Sequence, residues 1–483
     1  MYQSSNLDLP PLNSAQVERL AQSRTTLWLI MAVAVVLRVA AAFYHGNTVE
    51  VLPGIHDQVS YHALAQRVID GFGFSFAEMH WPITRPGEPT AHWSFLYTLY
   101  LAAVYLICGV TPLAARLLQA LIAGLLHPWL AYRLGRRIFG PTTGLWAAAI
   151  TAGYLYFIYY AGALMTETFY IVGILWCLDL ALAIGQSGTG GAARDWLLLG
   201  LALGVTLLLR QVFMLFVPFL LLWLLWQIKP GKAQAWGRTI KNMALCGLVA
   251  ACLILPWTVR NYVAFGKFVP LNTNSGYAFF WGNHPIYGTN FPGVLPDDGP
   301  TYQELIPGEL WALNEAELDS ALLRLGIGFV REDAQRYLLL SVSRLREYFK
   351  FWPSSESTLV SNIARVGSFG LLLPLLLWGI ALCVRRIYFC PAPPLAPFAA
   401  APTREPRSDS PPSKGGPGKG WRLDSVDPSI NRSGLLLIVL FAAVYTGVHL
   451  LTWTLVRYRL PVDSVFVLFA AYTLASLAKV GKT

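Results

Sequence analysis

The sequence predicts an all-α protein that crosses a membrane many times, and three observations support that class. First, 55% of the 483 residues are hydrophobic and 13% are charged, whereas soluble domains carry roughly a quarter charged residues. Second, the mean hydropathy is +0.49. Third, apolar segments of about twenty residues recur from Thr25 to Lys479, which is the length that a helix needs to cross a hydrocarbon core. A β-barrel would alternate apolar and polar residues instead.

The distribution of charge predicts how the helices are oriented. The formal charge of +10 does not indicate nucleic-acid binding, because no soluble segment carries a basic stripe with interleaved aromatic residues. Lysine and arginine gather instead in short clusters, as the positive-inside rule expects of cytoplasmic loops. The clusters are Arg133, Arg136 and Arg137; Lys229, Lys232, Arg238 and Lys241; Arg385 and Arg386; and the last few residues. The partner that they predict is anionic membrane lipid.

With these clusters inside, the apolar segments predict about ten membrane spans and two cytoplasmic chain ends. The spans are 25–44, 114–132, 142–162, 168–185, 195–209, 212–228, 243–258, 366–384, 433–452 and 461–479. Residues 92–108 are also apolar, but a full crossing there would place Arg133 outside, so we predict a helix that dips in from the outer face. Residues 1–24 are polar and predict a cytoplasmic N-terminal segment, followed by a retained first helix, because that helix lacks a small-residue cleavage site.

The predicted topology divides the chain into a transmembrane core, a linker and a final helix pair. The core covers residues 25–390 and carries two large outer loops, near 45–94 and 259–365. Both loops are too long to be simple connectors. Residues 391–432 are rich in proline, glycine, serine and charge, which predicts a disordered cytoplasmic linker. Residues 433–483 are predicted to form the C-terminal pair of transmembrane helices.

Three carboxylates are candidates for chemistry on the outer side. Asp57 begins a short amphipathic helix, and on that segment alone the simpler interpretation is a helix cap. Glu88 lies in the same loop, directly before Pro89. Glu167 lies where two apolar helices meet on the outer face, where an acid is costly and is a functional candidate by default, with a turn or cap as the alternative. Acids that converge from separate segments at one depth are what general acid or base catalysis requires.

Cations are predicted at a matching depth. Arg210 interrupts an apolar run of about thirty residues, and a buried cation needs a carboxylate or a phosphate as partner. Arg38 lies within the first helix, Arg260 at the outer end of another, and Arg457 and Arg459 just before Pro461. Each of them could simply extend to the interface, and for Arg38 that interpretation is at least as good as a functional one. Together they indicate a phosphate site, to which arginine offers forked donors.

Several motifs, taken in order, resemble those of a known family. They are DQVSYHALAQRVIDGFGFSF, EPTAHWSFLY, TPLAARLLQALIAGLLHPWLAYRLGRRIFG, ALMTETFY, LLLRQVFMLFVP and PWTVRNYVAFGKFVPLNTNSGYAFFWGNHP. The set resembles the bacterial family 39 glycosyltransferases, which have the GT-C fold and are related to protein O-mannosyltransferases and to the lipid A aminoarabinose transferase. The likeness covers Thr25 to about Pro285 and returns in RYRLPVD near the C-terminus.

The resemblance implies roles for four residues. Asp57 matches the catalytic acid of the first outer loop, Glu88 the acid before proline, and Glu167 the acid of the next outer loop. Arg210 matches the basic residue near the donor phosphate. The chain departs from the family at two positions: Gln58 stands where relatives often have a second acid, and Ser60 replaces a basic residue of the lipid A enzyme. The lipid A substrate is therefore not expected.

The predicted function is transfer of a sugar from a polyprenyl-phosphate donor to a lipid, glycan or protein acceptor at the outer face of the plasma membrane. Asp57 is the candidate general base, and Glu88 and Glu167 are expected to orient the reacting groups. Because base and leaving group lie on opposite faces of the sugar, the reaction is expected to invert. The candidates for binding are Arg210, Arg260, Arg457 and Arg459 for the donor phosphate, and Tyr61, His92 and Asn283 for the acceptor or sugar.

Other interpretations stay open at this point. A transporter or flippase of lipid-linked sugars would bind similar ligands, but such proteins place their charges near the midplane of paired halves. A non-catalytic assembly subunit would leave the acids as caps and turns. No cofactor is predicted with certainty: no nucleotide motif follows a strand, the six cysteines lack CxxC or histidine spacing, and whether the carboxylates hold a divalent cation is left open.

Overall fold

The computed structural model describes residues 24–51, 56–187, 190–227, 233–296, 299–354, 357–389 and 430–480. The predicted N-terminal segment 1–24 lies outside these ranges except for Arg24. The predicted linker 391–432 lies outside them except for its last three residues.

The described residues form α-helices and a few shorter helical turns, which confirms the predicted all-α class. The helices are α1 (Arg24–His45), α2 (Asp57–Ile69), α3 (Phe95–Cys108), α4 (Pro112–Phe139), α5 (Pro141–Gly153), α6 (Leu155–Gly162), α7 (Glu167–Gln186), α8 (Ala193–Leu209), α9 (Val217–Trp226), α10 (Ala233–Phe265), α11 (Ser275–Asn283), α12 (Glu315–Glu332), α13 (Ala334–Tyr348), α14 (Leu359–Arg365), α15 (Leu371–Phe389), α16 (Arg432–Leu451) and α17 (Leu460–Val480). Pairing of extended backbone in the described part is limited to two isolated bridges in the first outer loop.

Seven helical segments of the described chain are long and apolar enough to cross a membrane. They are Arg24–His45, Pro112–Phe139, Glu167–Gln186, Trp236–Phe265, Leu359–Tyr388, Arg432–Leu451 and Val456–Ala478. Of the other predicted spans, 142–162 is broken into α5 and α6, 195–209 is the 17-residue α8, and 212–228 contains a 3-10 turn followed by α9. Helix α3 has 14 residues, a length of about 21 Å against about 30 Å for a hydrocarbon core.

The break between α5 and α6 has a partner in the first helix. Arg38 is fully buried and donates to the carbonyl of Thr151 at 3.0 Å and to that of Ala152 at 3.4 Å. These carbonyls belong to the last turn of α5, where the chain turns extended at Tyr154 and leaves acceptors without helical partners. Arg38 therefore caps a broken helix inside the bundle and does not extend to the interface.

Helices α7 and α17 form the centre of the bundle. Buried residues make up 78% of the most apolar stretch of each, against 22% for α1 and α10. Small residues let the outer helices approach this centre closely: a Cβ on Gly124 of α4 would lie 2.7 Å from the Cα of Val35 in α1. Both central helices begin on the same side, and the candidate site lies at their N-terminal ends.

The two predicted outer loops are joined by one buried carboxylate. Glu315, at the start of α12, accepts hydrogen bonds from the hydroxyl of Thr90 at 2.6 Å, the backbone N–H of Ala91 at 2.7 Å and the hydroxyl of Thr84 at 3.2 Å. The hydroxyl of Thr273 also donates to it. Because a buried carboxylate needs several donors, this set fixes the first loop against the second loop above the central helices.

Candidate functional site

Four charged side chains from distant parts of the chain meet in one place. We call Asp57, Glu167, Arg210 and Arg457 the charged cluster. Arg457 Nη1 lies 2.6 Å from Asp57 Oδ2, and its Nη2 lies 3.4 Å from Asp57 Oδ1. Glu167 Oε1 lies 3.1 Å from Arg210 Nη1 and 3.4 Å from Arg457 Nη1. The two carboxylates therefore share one guanidinium, and a second guanidinium closes the cluster.

Each member of the charged cluster lies at the end of a helix. Asp57 is the first residue of α2 and Glu167 is the first residue of α7. Arg210 follows the last residue of α8 in extended conformation, and Arg457 lies in the 3-10 turn Val456–Arg459 that leads into α17. The convergence of helix ends explains why no single segment of sequence displays the site.

The carboxylates of Asp57 and Glu167 are not used as helix caps. The N-cap residues are His56 and Thr166, and neither makes a side-chain cap hydrogen bond. Both carboxylates are directed to guanidinium groups instead. Neither side chain therefore acts as a helix cap, although its negative charge at a helix N-terminus is still favourable.

The charged cluster is buried on one side and open on the other. The side chains of Glu167 and Arg457 are 0% and 8% exposed, whereas those of Asp57 and Arg210 are 19% and 21% exposed. The two acids and two arginines have no net formal charge. Pairing of this kind offsets the cost of removing ions from water. A ligand approaching from the open side meets Asp57 and Arg210 first.

Arg457 determines the protonation of Asp57. Burial by itself raises the pKa of the Asp57 carboxyl, but the charge and hydrogen bond of Arg457, with the charge of Arg210, outweigh burial and hold that pKa below its ordinary value. Asp57 is therefore ionised at neutral pH and closely paired. Such a group can take up a proton readily only when Arg457 is engaged elsewhere.

Aromatic rings surround the two arginines. The Tyr458 ring lies 5.2 Å from the guanidinium carbon of Arg210 and 5.1 Å from that of Arg457. Tyr170 lies 5.9 Å from Arg210 on another side. Rings at these distances stabilise a cation through their negative faces. Tyr458 stands between Arg457 and Arg459 in the sequence, and that position alone does not predict its contact with the distant Arg210.

Two polar atoms of the charged cluster have no hydrogen-bond partner within the described chain. They are Glu167 Oε2 and Arg457 Nε, and both are buried. Buried polar atoms are rarely left unpaired in a finished structure. One spare acceptor and one spare donor at the centre of the cluster mark it as a place where a polar ligand would complete the bonding.

Of the residues predicted to bind acceptor or sugar, Tyr61 and His92 lie near Asp57. The Tyr61 hydroxyl accepts from the Ser94 N–H at 3.4 Å, and burial together with the charge of Asp57 raises the pKa of Tyr61. His92 Nδ1 lies 3.3 Å from the Thr273 carbonyl. Burial lowers the pKa of His92 to about 4, although that hydrogen bond and the Asp57 charge act in the other direction. Both side chains are neutral neighbours of the charged cluster.

Arg260 and Arg459, predicted as phosphate ligands, are committed elsewhere. Arg260 Nη1 donates to the Thr90 carbonyl at 2.9 Å and its Nη2 to the Phe74 carbonyl at 3.2 Å, which ties the first outer loop to α10. Arg459 pairs with Asp463 at 2.9 Å, with both side chains fully buried. These contacts hold both guanidinium groups away from the charged cluster, although Arg459 Nη2 has no hydrogen-bond partner within the described chain.

Glu88 and Asn283 also lie away from the charged cluster. Glu88 is half-exposed and pairs with Arg85 at 3.3 Å, three residues before it. Asn283 accepts from Arg344 Nη2 at 2.8 Å and donates to the Phe279 carbonyl at 2.9 Å, inside the second outer loop. Among the described residues neither side chain contacts a member of the cluster.

Two buried residues that were not predicted as site residues lie beside the charged cluster and contact each other. Gln58 is buried beside Asp57 and accepts from Arg116 Nη2 at 3.3 Å, and Arg116 itself is fully buried in α4. Arg116 could have been singled out from the sequence, because an arginine within an apolar helix is costly and is a functional candidate by default. Gln58 was seen only as a departure from the family pattern, because its partners lie 58 and 106 positions away.

A metal site is not evident in the described part of the chain. No group of three or more His, Cys, Asp or Glu side chains there is arranged to hold an ion. Asp57 and Glu167 are each paired with a guanidinium, so a divalent cation would have to compete with arginine for them. Whether a cation takes part is left to experiment.

Comparison with known proteins gives the class of the fold. Archaeal oligosaccharyltransferase AglB from Archaeoglobus fulgidus, in complex with an inhibitory peptide and a dolichol-phosphate, is 14% identical; the match covers 94% of this chain and 50% of that one, with a TM-score of 0.53. The apo form of the Archaeoglobus fulgidus oligosaccharyltransferase is 14% identical over 92% of this chain and 50% of that one, with a TM-score of 0.51. This chain thus spans about half the length of both. The fold is that of GT-C membrane proteins.

Residues 92–259 match the family model described as dolichyl-phosphate-mannose-protein mannosyltransferase. ArnT from Cupriavidus metallidurans in the apo state is 14% identical over 94% of this chain and 77% of that one, with a TM-score of 0.40. Among curated proteins none matches the sequence significantly.

The chain is therefore a multi-pass membrane protein of the GT-C fold, and its residues 92–259 are similar to the dolichyl-phosphate-mannose-protein mannosyltransferases. The matching segment contains Glu167 and Arg210, two members of the charged cluster. The predicted resemblance and the predicted fold are confirmed.

Proposed function

We propose that this protein is a glycosyltransferase that moves a sugar from a polyprenyl-phosphate donor to a hydroxyl of an acceptor, at the outer face of the plasma membrane. The observation that carries the proposal is the charged cluster, in which two carboxylates and two arginines meet at helix ends. The family description and the dolichol-phosphate named with AglB agree with a lipid-phosphate donor.

Arg210 and Arg457 are the proposed ligands of the donor phosphate. Each presents a planar fork of N–H donors suited to phosphate oxygens. The leaving group of the reaction is itself a phosphate anion, so fixed positive charge here stabilises the negative charge that develops as the sugar departs. Arg210 is partly exposed on the open side, which suits first contact with the donor.

Asp57 is the proposed general base. It removes the proton from the acceptor hydroxyl while the acceptor oxygen attacks the anomeric carbon and the bond to phosphate breaks. A base on one face of the sugar and a phosphate on the other give inversion at that carbon. Donor phosphate bound to Arg457 would relieve Asp57 of its ion pair, so the base becomes effective when the donor is present.

Glu167 is proposed to hold the two arginines in position. Its Oε1 contacts Arg210 at 3.1 Å and Arg457 at 3.4 Å, and its side chain is fully buried. A buried carboxylate shared by two guanidinia keeps both forks at a fixed separation while lowering their mutual repulsion. Its role is therefore in positioning, and Asp57 alone is assigned the proton transfer.

The placement of the site on the outer side is supported by the basic residues of α4. Asp179 in α7 pairs with Arg133 at 2.8 Å and with Arg137 at 2.7 Å. Asp179 follows Glu167 by 12 positions along the same helix, a separation of about 18 Å. The charged cluster and the basic residues thus lie at different depths. If the basic side is cytoplasmic, the charged cluster faces outward.

The test is a transfer assay with the purified protein in lipid nanodiscs. Undecaprenyl-phosphate donors carrying radiolabelled mannose, glucose or aminoarabinose would be incubated with a membrane extract as acceptor source. We expect wild type to release undecaprenyl phosphate from one donor and label one acceptor, and mass spectrometry to identify the product. Flipping of the labelled lipid across vesicles without cleavage would support a flippase, and binding without cleavage or flipping would contradict both functions.

A further inference from the structure

Gln58 links the surroundings of the two carboxylates in the charged cluster. We propose that Gln58 is a positioning residue that sets the placement of Asp57 relative to Glu167, through an amide that both accepts and donates. The inference rests on the proposed function for the roles of these carboxylates. Its geometry is independent of that function, since it comes from the buried contacts of one side chain.

The accepting side of the amide reaches two elements. Gln58 Oε1 accepts from Arg116 Nη2 at 3.3 Å and from the backbone N–H of Leu164 at 3.4 Å. Leu164 lies three residues before Glu167, in the turn that leads into α7. Gln58 itself directly follows Asp57. One side chain therefore links the start of α2 to the turn that begins the Glu167 helix.

The donating side of the amide reaches a third element. Gln58 Nε2 donates to the Glu50 carbonyl at 2.6 Å, in the segment that follows α1. A carboxylate at position 58 would place negative charge against this carbonyl, and an alkyl side chain would leave the carbonyl and the Leu164 N–H unpaired. Only a group with both a donor and an acceptor satisfies all three partners. The side chain is 1% exposed, so water cannot replace it easily.

Arg116 makes the arrangement rigid. Its Nη1 donates to the Gly46 carbonyl at 2.6 Å and to the His45 carbonyl at 3.4 Å, at the C-terminal end of α1. Within the described chain Arg116 makes no ion pair with a carboxylate, although it is fully buried. Its contacts therefore join α1, α4 and Gln58 through neutral acceptors. An acid at position 58 would form an ion pair with Arg116 and add a charge beside Asp57.

The neutral amide of Gln58 also leaves the charge balance of the cluster unchanged. The amide carries no charge, so the charged cluster keeps two carboxylates for two arginines. The contacts of Gln58 lie on the side of α2 that faces α4 and α7, whereas Asp57 is directed to Arg457. Displacing a catalytic group by about 1 Å can cost roughly a hundredfold in rate. Loss of Gln58 is thus expected to lower the turnover rate more than it weakens donor binding.

The experiment compares Gln58→Met, Gln58→Glu and a matched control, Gln303→Met. Gln303 is an amide of the second outer loop whose Nε2 donates to the Pro82 carbonyl at 2.8 Å. With the transferred undecaprenyl-phosphate sugar as substrate, Gln58→Met is expected to lower kcat about ten- to hundredfold while the KM for donor changes less than about threefold. The control is expected to keep both values. Equal kcat in folded Gln58→Met and wild type would overturn the inference.

Gln58→Glu tests the same inference if Gln58→Met does not fold. The groups facing Asp57 are Arg457, Arg210, His92 and Tyr61. The added carboxylate, even when paired with Arg116, would act against the two cations beside Asp57. Infrared titration of the Asp57 carboxyl, identified by difference from Asp57→Asn, is expected to shift to higher pH in Gln58→Glu. The titration needs no substrate, so it remains informative if transfer is never observed. An unchanged titration curve would show that position 58 does not act on Asp57.

Discussion

Arg457 and Asp57 are 400 positions apart in the chain, yet their side chains meet at 2.6 Å. The contact joins the first outer loop to the turn before the last helix. Arg457 also reaches Glu167 at 3.4 Å, so the same guanidinium holds both acids. Arg457 therefore holds the proposed base in an ion pair and also fixes it relative to Glu167.

Replacement of Asp57 by asparagine is expected to abolish transfer without unfolding the protein. Asparagine keeps the volume and an oxygen for Arg457 but cannot take the acceptor proton, and general base catalysis contributes about 100- to 10,000-fold. The measurement is label transfer per mole of folded protein, with donor binding followed separately. Asp57→Asn is expected to bind donor at least as well as wild type, because Arg457 gains freedom to meet phosphate.

The matched control for this substitution is Glu317→Gln. Glu317 is a partly exposed acid of the second outer loop that pairs with Lys267 at 3.7 Å, so the change in formal charge is the same. Its transfer rate is expected to stay near that of wild type. Near wild-type transfer by Asp57→Asn would remove Asp57 from the catalytic role.

The pH dependence of the reaction is expected to differ between free and donor-bound protein. Arg457 holds the pKa of Asp57 below its ordinary value in the free protein, so the base stays ionised until the pH falls below that value. Donor phosphate on Arg457 weakens this pairing and raises the pKa. Since kcat/KM reports the free enzyme and kcat the bound complex, the acid limb of kcat should lie at higher pH. Coinciding limbs would show that donor binding leaves the pair intact.

The neighbouring arginine is expected to be structural. Arg459 pairs with Asp463 with both side chains fully buried, and the Tyr154 hydroxyl donates to the same carboxylate at 2.7 Å. Removing one partner of a buried pair costs about 3–5 kcal/mol. Arg459→Met should therefore lower the unfolding temperature and the yield, measured by thermal unfolding in detergent.

A double variant separates stability from phosphate binding at this position. Arg459→Met with Asp463→Asn removes both charges and keeps an oxygen for Tyr154, so stability should recover in part. Transfer per mole of folded double variant should remain near wild type. A folded double variant with a much higher KM for donor would instead favour the original prediction that Arg459 binds phosphate.

The second outer loop is expected to lose stability as the pH rises. Asp319 accepts from the Gly276 N–H at 2.7 Å and from the Ser275 hydroxyl at 3.3 Å, yet burial raises the pKa of Asp319 to about 6. A carboxyl with a raised pKa contributes stability that is present below its unfolded value near 3.8 and is lost as the pH rises through about 6. Thermal unfolding at about pH 5 should therefore occur at a higher temperature than at about pH 8.

The substitution that checks this pH effect is Asp319→Asn. It removes the titration, so the difference between the two unfolding temperatures should shrink. An equally steep dependence in Asp319→Asn would assign the effect to another group, and the buried Glu315 beside it would then be the next residue to test.

The membrane class and the main helices could be predicted because they depend on local composition. A run of apolar residues long enough to cross a bilayer must form a helix, whatever its neighbours are. Three predicted spans nevertheless form broken or short helices. The break at Tyr154 illustrates the reason. The break there is stabilised by Arg38 from another helix, and hydropathy does not register such a contact.

The candidate site could be predicted only in part. Asp57, Glu167, Arg210 and Arg457 were singled out as charged candidates, and the structure brings them together. Glu88, Arg260 and Arg459 were also charged candidates and Asn283 was a polar one, but all four make their contacts elsewhere. A costly charge demands a partner, yet the sequence does not say whether that partner is a substrate or another part of the chain.

Composition and local patterns were enough to predict an all-α membrane protein, its family likeness and charged groups near the ends of its helices. These follow from hydropathy and from the cost of burying charge, which act on short segments. The tertiary structure alone decided which ions share a site, with Arg457 and Gln58 as the joining residues. Such pairings link positions up to 400 apart and depend on how whole helices pack, which no local pattern records.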